Sequence, residues 1–275
     1  MAELGPISNK RPAQVTVFSP HLDDAVLSAW HILSASNPVK VVTVFAGVPA
    51  SGFVTDLDRH KGATESALRV RQRRSEDAAA LATVGAIPVH LDLLDVQYSA
   101  YEVPDLRRRI AASLADAVAI MAGASGIGPE PDAILDSIQP YVEPQTTVYA
   151  PAGIGGHPDH LALSRAVLRL ADEIEELHLF ADSPYSLRQG LPSWIGGRHN
   201  PAADRLIDQV LPCPCVASGA LSRRVVTLTA EELAAKLYAL RRYTTEFPTL
   251  SEHFSHPPTR PEMARYEVFW KVPRA

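Results

Sequence analysis

At 275 residues, with 46% hydrophobic and 21% charged side chains, the chain is long enough to bury a large core and has an ordinary globular composition. A formal net charge of −5 without any basic block argues against a nucleic-acid surface, and no apolar run approaches the roughly 20 residues of a membrane span. The start, Met1 to Pro6, has no charged-then-apolar leader pattern, so cytoplasmic residence is expected.

Gln14 to Ser19, Val39 to Phe45, Pro88 to Leu93, Thr146 to Ala150 and Leu177 to Ala181 are short runs rich in Val, Ile, Leu and Phe, as strands covered on both faces require. Between them lie helical patterns at Asp24 to Ser34, Glu65 to Val84, Pro104 to Met121 and Pro158 to Leu170. This alternation predicts an α/β fold, a Rossmann-like open and mostly parallel sheet with helices on both faces. The later part is less regular. Tyr185 to Pro201 carries Gly190, Pro192, Gly196 and Gly197 and reads as a long loop. Cys213 and Cys215 are too close for an unstrained disulfide or the usual thiolate metal spacing, so they are expected to be ordinary thiols. Arg223 to Leu228 reads as a strand, Glu231 to Arg242 as a helix capped by Thr229, and Arg265 to Lys271 as a closing strand. One domain over residues 1–275 is expected, its core at about 14–181 and a C-terminal capping segment, 182–275, packed on it.

Two of the strand runs stop abruptly in clusters of imidazoles and carboxylates: Pro20-His21-Leu22-Asp23-Asp24 and Gly155-Gly156-His157-Pro158-Asp159-His160. With the common strand order 3-2-1-4-5, the first and fourth strands are neighbours where the order reverses, and ligands bind at that crevice. The two clusters should therefore face each other. His21 and Asp24 are three residues apart, as are His157 and His160, the latter pair on the first turn of a helix whose Pro158 suits its first position. His21, Asp24 and His160 are the candidate metal ligands, since two nitrogens and one oxygen leave positions for water and substrate. The metal would lower the pKa of a bound water toward about 7, so that Asp23 could take its proton as general base. His157 is expected to stabilise the tetrahedral oxyanion as an imidazolium or to protonate the departing amine, and Asp159 to hold His157 charged and oriented. The same donors suit iron(II), as in non-haem oxygenases, but oxygen activation needs neither Asp23 nor His157. A non-catalytic sugar- or nucleotide-binding module is the other alternative; no Gly-x-Gly-x-x-Gly follows the first strand.

On these residues the sequence resembles the PIG-L/LmbE-like zinc-dependent deacetylases, which include the de-N-acetylase of N-acetylglucosaminyl-phosphatidylinositol. Their first motif usually reads Ala-His-Pro-Asp-Asp-Glu and their second His-Pro-Asp-His or His-x-x-His; Pro20 to Ala25 and His157 to His160 stand in those places. The likeness takes in Arg73 to Glu76, Gly85 and Asp95, spans about residues 14 to 181, and continues loosely through Lys236 to Tyr243 and Tyr266 to Trp270. It implies His21, Asp24 and His160 on zinc, Asp23 as base and His157 as electrostatic catalyst. It also implies substrate contacts from Arg73, toward a sugar or its phosphate, and from Asp95, toward a sugar hydroxyl. The implied reaction removes an N-acyl group, usually N-acetyl, from a small amino sugar or glycoside, releasing acetate and a free amine. Leu22 replaces the motif proline and Ala25 its glutamate. Gly155 stands where some members carry a tyrosine near the scissile group, so a tyrosine contribution would have to come from Tyr98, Tyr101 or Tyr185. Gly47 to His60, Asp95 to Val103 and Ser183 to Gly197 follow strand ends and should shape the pocket. The abundance of alanine and arginine suggests a GC-rich bacterial source.

Overall fold

The structure, a computed structural model, describes residues 14–35, 38–102, 129–143, 145–195, 200–208, 221–252 and 254–274. Seven strands form one sheet: β1 (Gln14–Ser19), β2 (Val39–Thr43), β3 (Ile87–His90), β4 (Thr146–Pro151), β5 (Glu176–Phe180), β6 (Ser222–Thr227) and β7 (Tyr266–Lys271). Their order is β3-β2-β1-β4-β5-β7-β6. The first five are parallel, and β7 and β6 continue the sheet antiparallel. The expected α/β architecture is therefore present, including the reversal between β1 and β4. The C-terminal segment does more than cap the sheet, because it adds two strands to it.

The helices that position the site are α1 (Asp24–Ser28), α2 (Trp30–Ala35), α3 (Ser66–Ala82), α4 (Pro131–Ile138), α5 (Pro158–Arg169) and α6 (Ala230–Leu240). Successive side chains on a strand point to opposite faces. Phe18 and Val42 accordingly pack under α4 and α5 with Ile134, Leu163 and Val167. Val17 and Val41 pack on the other face with Val26, Trp30, Leu81 and Leu240. Both faces are covered at the centre of the sheet, which is why β1 and β2 are largely apolar, whereas the edge strand β6 is mostly exposed and carries Arg223 and Arg224. Thr229 caps α6 as expected, in a reciprocal capping box with Glu232. Short helices at Asp56–His60, Val96–Glu102, Pro201–Asp208 and Phe247–Glu252 interrupt segments that lack a long periodic pattern. The expected helix at Pro104 to Met121 and both cysteines lie outside the described residues.

One expected helix is broken. Asp24 to Ser34 reads as continuous, yet the chain leaves helical geometry at Ala29 and restarts at Trp30. The cause is the carboxylate of Glu267 on β7, which accepts the Trp30 and His31 backbone N–H groups, each at 2.8 Å. A buried carboxylate at the second helix's N-terminus satisfies donors that would otherwise have no partner there. Lys236 on α6 neutralises it at 2.7 Å, and both side chains are buried. Lys236→Ala is expected to destabilise the fold by roughly 3–5 kcal/mol, the cost of stranding one member of a buried pair. A lower urea midpoint would register it; an unchanged midpoint would show the pair to be dispensable. Among the described residues, no helix is long and apolar enough to cross a membrane.

Candidate active site

The loop after β1 is tied down by its own polar groups. Ser19 Oγ donates to the His21 carbonyl at 2.8 Å and accepts the Ala25 N–H at 3.1 Å. Asp24 Oδ2 accepts the His21 N–H at 2.9 Å. These bonds turn the chain sharply out of the strand and bring His21 and Asp24 to the same side. The exit of β4 delivers the second cluster, with His157 as N-cap of α5 and Pro158 in its first turn, as the spacing predicts.

The clusters meet across the crevice. His21 Nδ1 lies 3.2 Å from Asp24 Oδ2, His160 Nε2 lies 3.2 Å from the same oxygen, and the two nitrogens are 3.3 Å apart. A tetrahedral zinc with ligand bonds of about 2.0–2.1 Å has donor–donor edges of about 3.3 Å. This triangle of two imidazole nitrogens and one carboxylate oxygen fits a single divalent cation. His157 also brings a ring nitrogen within 4.8 Å of those of His21 and His160, but Asp24 makes the tighter triangle.

Each imidazole of the triangle is fixed from behind. His21 Nε2 bonds Asp159 Oδ2 at 2.9 Å, and His160 Nδ1 bonds Asp182 Oδ1 at 2.7 Å. Such carboxylates set the ring tautomer and raise its basicity toward a metal. They also create a field that favours positive charge. Burial lowers the His160 pKa, yet Asp24 and Asp182 raise it to about 9. Burial likewise opposes His21, but Asp95, Asp159 and Asp24 hold it well above its usual range. For Asp24, burial opposes ionisation, and His160 and His21 nevertheless hold it far below the usual carboxylate range. The field that favours protons here would favour a metal cation equally.

Asp159 departs from expectation. Its side chain does not reach His157; the carboxylate turns toward His21 and also accepts the Val96 N–H at 3.0 Å. What meets His157 is the Asp159 backbone, whose N–H donates to His157 Nδ1 at 3.3 Å. That bond makes Nδ1 an acceptor and leaves the proton on Nε2. Burial, reinforced by His21 and His160, holds the His157 pKa well below its ordinary value. Both features disfavour the imidazolium expected of His157.

Asp23 stands on the cleft beside Arg73, whose Nη2 is 3.8 Å from Asp23 Oδ2 and whose Nε is 3.5 Å from Glu246 Oε1. Burial pushes Asp23 up to about 8, with Arg73 pulling down and Asp24 and Glu246 pushing up. Arg73 also donates to the Leu22 carbonyl at 3.4 Å, so its guanidinium braces the loop that carries Asp23. Asp95 lines the cleft with its Oδ2 3.7 Å from His21 Nε2 and its Oδ1 accepting the Gln97 N–H at 2.9 Å. His21, Asp23, Asp24 and His157 line the same cleft, about 380 Å³ in volume, while His160 is fully buried behind it.

Two contributors were not picked out from the sequence, Asp182 and Glu246. Asp182 sits just past β5, so the strand-exit rule that found the other clusters could have found it. Glu246 carries no such signal, since it arrives from the loop after α6. Asp182→Asn, which removes the charge behind His160 and keeps the shape, is expected to weaken metal binding roughly 10- to 100-fold. Competition against a chromophoric chelator measures this, and wild-type affinity would contradict it.

Residues 16–171 match the family described as PIG-L, GlcNAc-PI de-N-acetylase. A deacetylase of the teicoplanin biosynthesis pathway is 28% identical over 95% of this chain and 98% of its own, with a TM-score of 0.62. The A40926 pseudoaglycone deacetylase Dbv21 is 26% identical over 95% and 98% of the two chains, with a TM-score of 0.59. The zinc-inhibited form of teicoplanin deacetylase Orf2 is 25% identical over 95% and 98%, with a TM-score of 0.61. No curated protein sequence matches the chain significantly.

Proposed function

The chain belongs to the PIG-L (GlcNAc-PI de-N-acetylase) family, and from that premise we propose that it is a metal-dependent N-deacetylase acting on an amino-sugar-containing small molecule. One observation carries the reading: a cation-sized triangle of His21, Asp24 and His160 opens onto the same cleft as two groups that do not belong to it, Asp23 and His157. A binding module needs no such surplus. Similarity to the deacetylases of teicoplanin and A40926 assembly supports an N-acyl amino sugar on a larger scaffold as the substrate.

In this reading His21, Asp24 and His160 hold zinc, with iron(II) as the other ion those donors suit. The bound ion supplies Lewis acidity and makes water a nucleophile near neutral pH. Asp23 takes the proton from the attacking water as its oxygen bonds the amide carbon, and the carbonyl π pair moves onto the amide oxygen. His157 donates its Nε2–H toward that oxygen as it gains charge. When the pair returns, the C–N bond breaks, and the proton held by Asp23 passes to the departing nitrogen. Arg73 keeps Asp23 in place, its remaining capacity being shared with Glu246. Asp95 is left to accept a sugar hydroxyl, and Leu57, Leu250 and Phe254 give the cleft an apolar wall for the rest of the glycoside.

A panel of N-acetylated amino sugars, glycosides and sugar nucleotides tests this, with acetate and free amine both measured. Equal release of the two products from at least one class is expected. Because one relative has a zinc-inhibited form, metal should be added at one equivalent. Absence of amine from every member, with metal bound, would contradict the proposal.

A further inference from the structure

Glu246, from the loop after α6, lines the cleft and is almost wholly buried. Three cations converge on its carboxylate. Lys61 Nζ donates to Oε2 at 2.7 Å, Arg69 Nη2 donates to Oε1, and Arg73 Nε stands 3.5 Å from that same Oε1. Lys61 and Arg73 line the cleft beside it. Burial opposes ionisation of Glu246, yet Arg73, Lys61 and Arg69 hold its pKa down to about 2, so it stands there as an anion.

The segment that carries this carboxylate is pinned to α3. Thr245 donates its N–H and its hydroxyl to Glu76 Oε2, at 3.3 and 2.7 Å, and Thr244 donates its hydroxyl to Glu76 Oε1 at 2.5 Å. Arg69 also donates to the Thr245 carbonyl at 3.3 Å. Two of the cations face a second carboxylate as well, Arg69 that of Asp58 at 3.2 Å and Arg73 that of Asp23 at 3.8 Å. A carboxylate needed only to tie the C-terminal segment to α3 has no reason to line the cleft. There, Glu246 takes the place among guanidinium and ammonium groups that a substrate phosphate would otherwise seek, and it meets an incoming anion with like charge.

We propose that Glu246 determines specificity: seated among Lys61, Arg69 and Arg73, it admits amino sugars that are uncharged at that wall and rejects their phosphate esters. This rests on the deacetylase reading above for the reaction being filtered. Of the two partners implied for Arg73, a sugar or its phosphate, the geometry leaves the neutral one. The selection works through an unfavourable contact with the wrong ligand rather than a better contact with the right one.

In the zinc-loaded wild type, kcat/KM for the methyl glycoside of N-acetylglucosamine is expected to exceed that for N-acetylglucosamine 1-phosphate roughly 100-fold. Glu246→Gln keeps the shape and removes the charge. It should cut that preference roughly 10-fold or more, chiefly through a lower KM for the phosphate ester. Inorganic phosphate, titrated calorimetrically into both zinc-loaded proteins, should bind the variant tighter by a similar factor; any bond to the metal is common to both and cancels. Should Glu246→Gln fail to fold, Glu246→Gln/Lys61→Met, which removes one charge of each sign, takes its place with the same expected direction. Equal use of the two sugars by the wild type, equal phosphate affinity in the two proteins, or an equal loss toward both sugars in the variant would overturn the role of Glu246 while leaving the deacetylase reading intact. A wild type that releases amine from no N-acetyl amino sugar would sink that reading, and the phosphate titration would still decide the role of Glu246.

Discussion

Asp23→Asn is expected to lower kcat roughly 10²- to 10⁴-fold, the range by which a positioned general base contributes, with the metal still bound. The argument is geometric first. Asp23 shares the cleft with His21, Asp24 and His157 but contributes no atom to the metal triangle. Removing its charge strands nothing, because Arg73 keeps Glu246 as a partner at 3.5 Å. Turnover and metal content should therefore separate, and near-wild-type turnover in a metal-replete variant would remove Asp23 from the mechanism. The pH dependence follows from the same environment. The carboxylate must be ionised to accept a proton, so activity rises with pH through its pKa. Burial pushes Asp23 up to about 8, and a cation held beside it favours the charged form. The ascending limb of kcat/KM should accordingly lie at or below pH 8 and should vanish in Asp23→Asn.

Loss of the metal is expected to be at least as costly. Chelation of the wild type, or Asp24→Ala, should reduce the rate roughly 10³-fold or more, equivalent to about 4 kcal/mol of barrier. One equivalent of zinc should restore the chelated wild type and leave Asp24→Ala inactive. The asymmetry arises because Asp24 Oδ2 is the corner common to both nitrogens, at 3.2 Å from each. Without it, His21 and His160 remain held by Asp159 and Asp182 but no longer form a closed triangle. Activity that survives exhaustive chelation would contradict the assignment, as would full rescue of Asp24→Ala by zinc.

The fold was legible because both faces of the central strands are covered and those strands are correspondingly apolar. The crevice followed from strand order alone. What the sequence withheld was long-range. The break at Ala29 depends on Glu267, 237 residues from Trp30, and no local pattern announces it. The partner of Asp159 was misread for a related reason. His157 is its neighbour in sequence, whereas the buried side chain bonds His21 at a separation of 138 residues. A basic helix face is usually solvated, but α3 buries charged side chains beside its apolar Ala67, Val70, Ala80 and Leu81. Arg69, Arg73, Glu76 and Asp77 are buried, while Leu68 is 54% exposed. That face meets Glu246 and Tyr243 from the C-terminal segment, so its charges are satisfied by residues that spacing along α3 cannot reveal. His157 illustrates a finer limit. Its pKa is held down by burial beside His21 and His160, and residue type does not reveal that surrounding.

The most direct test of the account is anomalous diffraction at the zinc edge from crystals of protein loaded with one equivalent of zinc. A single strong peak bonded to His21 Nδ1, Asp24 Oδ2 and His160 Nε2 is the predicted result. A peak centred elsewhere, or none between these three atoms at full loading, would contradict it.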